Sequence, residues 1–185
     1  MDRFKTKEFV VFDVETTGLS PAIGDRIVEI AALKIKNLEP VAHFHSLVDP
    51  QRPISFPAFE VNQISEKMLV GAPKAREILP QFLKFVGRAT LIGHNITFDM
   101  NFLYNEMDLS GLETRKDFET VDTIRLARQL MPRLGRYPLW LVADALGIKK
   151  SQKHRAMADV ELTFDVFSRL IHLAQERNMI EEFFA

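Results

Sequence analysis

At 185 residues, with 46% hydrophobic content and 15 Phe, the chain can bury one substantial core, and with no domain boundary evident a single domain over residues 1–185 is expected. The absence of Cys excludes disulfides and thiolate zinc sites; no apolar stretch reaches membrane-spanning length, Met1 to Lys7 is polar, and a cytoplasmic protein without membrane association is the default expectation. A formal net charge of −1 is low for a nucleic-acid binder, yet Arg115 to Arg155 holds ten Lys or Arg against four acids, a local excess of six.

The elements read in an α/β order. Strands are predicted at Phe9 to Val14, Ile27 to Ile35 and Val41 to Leu47, the second alternating Leu33 and Ile35 against Lys34 and Lys36. Short polar links join them, so an antiparallel meander is expected. Pro50 to Phe59 reads as irregular. An amphipathic helix then carries Ala75, Ile78, Leu79, Phe82, Phe85 and Val86 between Pro73 and Gly87. A strand at Thr90 to Ile92, a helix around Asp99, a short strand near Phe118 to Val121, and helices from Thr123, Leu139 and Ala156 complete the chain. A mixed sheet of about five strands flanked by helices follows.

Three segments carry chemistry. In Phe12-Asp13-Val14-Glu15-Thr16-Thr17-Gly18, two carboxylates occupy alternate residues after the apolar run Phe9 to Phe12, so they share one strand face and repel unless a cation lies between them. Hard oxygen donors in that arrangement suit a divalent metal. In His94-Asn95-Ile96-Thr97-Phe98-Asp99, a carboxylate sits near the start of a helix that follows a strand. In His154-Arg155-Ala156-Met157-Ala158-Asp159, the acid falls in the first turn of a long helix with the apolar stripe Val160, Thr163, Phe164, Phe167, Leu170, Ile171 and Ala174. His154 precedes that helix and is expected on a mobile loop.

Each residue alone has an ordinary structural account. Asp99 and Asp159 would serve a helix start, Asp122 an N-cap, His94 the turn into the Asp99 helix, and Phe98 and Trp140 the core. His43 and His45 share a strand face but have no evident third metal ligand. The C-terminal Met179 to Phe184 is expected to pack back on its own domain.

Together, Asp13-x-Glu15, Asp99 and His154-x4-Asp159 resemble the three motifs of the DEDDh 3′–5′ exonucleases of the DnaQ-like group. Phe12 to Ile35, Ile64 to Pro73, Leu91 to Leu103, Val121 to Leu130 and Leu139 to Val166 also resemble the polymerase III epsilon subunit and the exonuclease domain of Gram-positive replicative polymerases. The resemblance implies a ribonuclease-H-like fold and two divalent ions, Mg²⁺ or Mn²⁺. It implies that Asp13 bridges both, Glu15 and Asp159 complete the first, Asp99 holds the second largely through water, and His154 takes the proton from the attacking water. It further implies that the backbone at Thr16 and Thr17 meets the terminal 3′ hydroxyl, that Leu19 and Phe98 pack against the last bases, and that Asn95 lies near the strand. The expected substrate is the 3′ end of single-stranded or frayed DNA, with a DNA polymerase as a possible partner. An exoribonuclease acting on RNA ends and a non-catalytic nucleic-acid-binding subunit of a polymerase complex stay open.

Overall fold

The computed structural model describes residues 7–112 and 117–184, so Arg115 and Lys116 of the basic segment, and most of the polar N-terminus, lie outside the described residues. Five strands, β1 (Phe9–Thr16), β2 (Ile27–Lys36), β3 (Glu39–Leu47), β4 (Thr90–Gly93) and β5 (Thr120–Asp122), form one mixed sheet in the order β3-β2-β1-β4-β5. The first three pair antiparallel, as the meander reading expects, and β4 and β5 add in parallel on the other side of β1. The helices are α1 (Phe56–Asn62), α2 (Ala75–Val86), α3 (Ile96–Leu109), α4 (Thr123–Leu130), α5 (Leu139–Ala145), α6 (Ala156–Glu176) and α7 (Ile180–Phe184).

Alternation along β1 divides the molecule into two layers. Phe9 and Val11 join a core with α4, α5 and α6, where Phe9 and Phe167 ring centroids lie 5.6 Å apart. Val10, Phe12 and Val14 join a second core with α2 and α3, where Phe12 meets Phe82 at 5.7 Å. A central strand covered on both faces buries nearly every residue, and β1 does so. Asp13 and Glu15 continue the Phe9–Val11 face, so at the C-terminal end of β1 they point toward the layer that contains α6.

The edge strand β3 is mostly exposed and carries Pro40 at an irregularity in its register with β2, a placement that discourages pairing with another chain.

Three expectations change. Helix α1 occupies part of the stretch read as irregular: the Ser55 hydroxyl accepts from the Ala58 amide as an N-cap, and Pro57 sits in the first helical turn, where its missing N–H costs nothing. The last strand is shifted to Thr120–Asp122, because pairing of Leu91 with Thr120 and of Gly93 with Asp122 fixes its register. Trp140 is not core. It is 47% exposed, while Leu139, Val142 and Ala143 take the buried face of α5. At the other end of the chain, Met179, Ile180 and Phe183 do pack against the α4–α6 core.

Candidate active site

The carboxylates singled out by sequence converge at one end of the sheet. Asp13, Glu15 and Asp159 each offer an oxygen within 4.8 Å of the others, two from β1 and one from the first turn of α6. Asp99 arrives from α3 for a local reason. Strand β4 pairs with β1 only through Val11, so the Val14 amide is left without a β4 partner, and Asp99 Oδ1 accepts from it at 3.0 Å. Asp159 is held from above by the preceding loop, whose Lys153 amide donates to Oδ1 at 3.1 Å and whose Gln152 Nε2 donates to Oδ2 at 3.2 Å.

Electrostatics shows what this convergence costs. Burial first, then Asp159, Glu29 and Asp99, push the Glu15 carboxyl up to about 8. Burial likewise raises Asp99 to about 8, with Asp122 adding to it and the Val14 amide opposing. Burial and the neighbouring acids hold Asp13 well above the ordinary carboxylate range. Like charges crowded in a dry setting favour the protonated form unless a cation joins them. The donor set is all carboxylate oxygen, which fits Mg²⁺ or Mn²⁺ and disfavours softer metals.

His154 lines the same cleft as Asp13, is 47% exposed on its side chain, and has Nδ1 at 3.9 Å from Asp159 Oδ2. Its backbone adopts φ 50°, a left-handed conformation that a β-carbon disfavours. On the loop before α6 the imidazole sits between two anchored neighbours: the Lys153 amide is bonded to Asp159, and Arg155 to Glu29.

That second anchor was not read from the sequence. Glu29 lies directly across from Glu15 in the β1–β2 ladder and is 1% exposed. Its oxygens accept from Arg155 Nη2 at 2.7 Å and Nε at 3.1 Å, from the Ala156 amide at 3.0 Å, and bond His45 Nε2 at 2.7 Å. Burial pushes the Glu29 carboxyl up, but the bonds from Arg155, His45 and Ala156 outweigh it and leave it below its ordinary value. His45 is therefore engaged by Glu29 rather than sharing a merely exposed face with His43. The available signal was an acid inside the apolar run Ile27-Val28-Glu29-Ile30-Ala31.

Two further buried acids brace the approach to β1 and β2. Asp25 accepts from the Thr17 hydroxyl and the Ser20 amide, while Glu106 takes Arg26 in a bidentate pair at 2.7 Å and also accepts from the Ile27 amide. Gly18 lies so close to Asp25 that a β-carbon there would meet Oδ2 at 2.3 Å.

The residues expected to touch substrate divide into two groups. Leu19 is 85% exposed, Asn95 is exposed at a left-handed helix start, and Phe98 is half-buried, its ring 4.9 Å from that of Phe102. Thr16 and Thr17 are buried, and Thr17 spends its amide on Arg26 O and its carbonyl on the Ser55 amide. Its groups hold the loop together and are already bonded within the protein. His94 has the bracing part expected of it: Nε2 donates to Tyr137 O and Nδ1 meets the Thr123 hydroxyl, both at 2.8 Å, while burial lowers its pKa. Asp122 caps α4 by accepting from the Ile124 amide, and also accepts from the Asn95 amide. In the basic segment, Lys150 is paired with Asp165 and Arg155 with Glu29, so part of the local excess is neutralised.

Residues 10–167 match the model of a family described as Exonuclease. The DNA polymerase III PolC-type of Halalkalibacterium halodurans is 39% identical over 173 residues, 94% of this chain, and that of Clostridium perfringens is 42% identical over 160 residues, 86% of this chain. The chain spans only 12% and 11% of the lengths of these relatives. A structure of exonuclease X in complex with 5′ overhanging duplex DNA is 25% identical with TM-score 0.74, covering 90% of this chain and 93% of that one. E. coli exonuclease I in complex with a dA16 oligonucleotide shares the fold, at TM-score 0.79 and 20% identity, over 97% of this chain and 43% of that one. By its matched family, its ribonuclease-H-like sheet and its acidic cluster, the chain belongs to the exonuclease family, in the DnaQ-like 3′–5′ branch.

Proposed function

We propose that this chain hydrolyses single-stranded or frayed DNA from the 3′ end, releasing nucleoside 5′-monophosphates one at a time, and that it proofreads for a replicative polymerase. The observation that carries the reading is the meeting of Asp13, Glu15 and Asp159 within 4.8 Å beside a cleft shared with His154. Those three carboxylates, with Asp99 close behind, would hold two divalent ions, which when bound neutralise the phosphate, activate water and stabilise the departing oxygen. His154 accepts the proton of the attacking water. Its neighbours Lys153 and Arg155, each anchored, hold the imidazole at the mouth of the cleft. A P–O bond forms to the water oxygen, the bond to O3′ of the preceding nucleotide breaks, and that O3′ leaves with a proton.

Leu19 and Phe98 offer apolar surface to the terminal bases without reading their edges, which suits a nuclease that accepts any end. A mismatched terminus enters more readily because less unpairing energy is spent. The PolC-type relatives support the polymerase context.

Oligonucleotides labelled at the 5′ end, with matched and mismatched duplex termini and with DNA and RNA arms, test the proposal in Mg²⁺, Mn²⁺ and EDTA. Stepwise shortening from the 3′ end, faster on mismatched DNA and abolished by EDTA, is expected. Preferential loss of RNA would replace the DNA reading with an exoribonuclease; binding without cleavage in either metal would leave a non-catalytic module.

A further inference from the structure

The cleft beside Asp13 and His154 has a wall that the hydrolytic step does not use. It encloses about 460 Å³, within the range of ligand-sized clefts, and Arg128, Tyr137 and Trp140 line it together with the catalytic candidates. Trp140 is 47% exposed on a helix whose other large side chains are mainly directed to the core. The Arg136 guanidinium carbon lies 5.6 Å from the indole centroid, and that of Arg128 lies 5.8 Å from the Tyr137 ring. Among the described residues, the cation–carboxylate pairs of the surrounding basic segment use Lys150 and Arg155 (and His154 beside Asp159), so Arg128 and Arg136 keep their charge for an outside anion.

An indole and one guanidinium in the wall of a cleft, with a second guanidinium beside the indole, make a specific chemical offer. The ring supplies a stacking surface indifferent to base identity, and the cations supply partners for phosphate. Asp13 of the carboxylate cluster lines the same cleft, so a strand reacting there has the indole and the Arg128 guanidinium within one cavity.

We infer that Trp140, flanked by Arg128 and Arg136, forms a subsite for the nucleotide upstream of the scissile phosphate, stacking its base while the arginines meet its phosphates. The inference rests on the nuclease reading above and adds where the retained strand is gripped. It also accounts for the exposure of a residue type usually sequestered when it has no binding role.

The chain has a single Trp, so emission excited at wavelengths beyond tyrosine absorption reports on this residue alone. The full chain is titrated at low salt in EDTA, which stops metal-dependent turnover, with oligothymidylate of about eight nucleotides and with an abasic oligomer of equal phosphate count. Saturable quenching by the thymidylate and none by the abasic oligomer is expected, together with about five- to a hundred-fold tighter binding of the former by anisotropy of a 5′-fluorescein label. Trp140→Ala should bind the two alike, Trp140→Phe should recover most of the difference, and Arg128→Gln should lower the salt slope by about one. Emission unmoved by saturating thymidylate overturns the subsite, and so does wild-type affinity in a folded Trp140→Ala protein. If the wild type releases no nucleotide in Mg²⁺ or Mn²⁺, the nuclease reading fails, and the same titration still decides the subsite.

Discussion

Removing divalent cations with EDTA and then raising the pH should destabilise the protein, and Glu15 sets the scale. Its carboxyl moves from an ordinary 4.5 to about 8 on folding, chiefly through burial and then through Asp159, Glu29 and Asp99. A folded pKa above the unfolded one means that the native state binds more protons between the two values. Its stabilising contribution is therefore complete below about pH 4.5 and is lost as pH rises through about 8. At 1.36 kcal/mol per pH unit, that interval corresponds to about 5 kcal/mol. For a chain of this size the loss lowers Tm by about 10–20 °C. Thermal melts in EDTA from about pH 5 to about pH 9 should show the decline, and Mg²⁺ should reverse it most at the alkaline end, where the carboxylates are charged. His94, with its pKa lowered from 6.5, contributes the opposite slope at the acid side of the window, so Glu15→Gln measured in parallel isolates the carboxylate. A metal-free Tm that stays level or climbs across the window, with the Glu15→Gln curve parallel to wild type, would refute the account of uncompensated acids.

Asp13→Ala is expected to abolish nucleotide release while raising the metal-free Tm at about pH 8, because one of the crowded charges is gone; release assays and melts together check both halves. His154→Ala should lower kcat by about 10² to 10⁴ and leave Tm nearly unchanged, as befits a half-exposed side chain proposed to move a proton. Glu29→Gln strips the charge from a 1% exposed acid that holds Arg155, and about 3 kcal/mol of stability should go with it, near the lower end for a broken buried pair because Arg155 is 39% exposed. Urea melts read that loss, and a fall in kcat would report the missing anchor beside His154. Gly18→Ala should cost about 1–3 kcal/mol by forcing Asp25 away from Thr17 and Ser20, measurable in the same melts.

Much of this arrangement was legible in the residues themselves. The meander follows from the short polar links between the first three strands, and α6 from a stripe sustained from Val160 to Ala174. Asp13 and Glu15 could be assigned a common face because strand period is two, and Asp159 a first-turn position because its helix has a clear start. The placement of β4 and β5 beyond β1 was not read from the residues, since periodicity carries no information on which strands become neighbours. Glu29 escaped because its partners, Arg155 and His45, are brought to it across strands and layers, beyond any fixed spacing. Trp140 sits in Leu139-Trp140-Leu141-Val142, a run without period on a helix of only seven residues, so which of these faces outward is decided by packing alone. Helix α1 was hidden by Pro53 and Pro57, which read as breakers although the second lies where a helix tolerates it. The pairing of Lys150 with Asp165 runs from the loop before α6 to a side chain well inside that helix, so a count of charges overstated the free cations.

Because β1 sends Val10, Phe12 and Val14 one way and Phe9, Val11, Asp13 and Glu15 the other, a slip of one position against β2 would drive both acids into the oily layer beneath α2 and α3. Such a misthreaded chain could not collapse without stranding charge in hydrocarbon. The reactive carboxylates thus act as proofreaders of the protein's own assembly, and a molecule that passes that inspection already has its acids mustered.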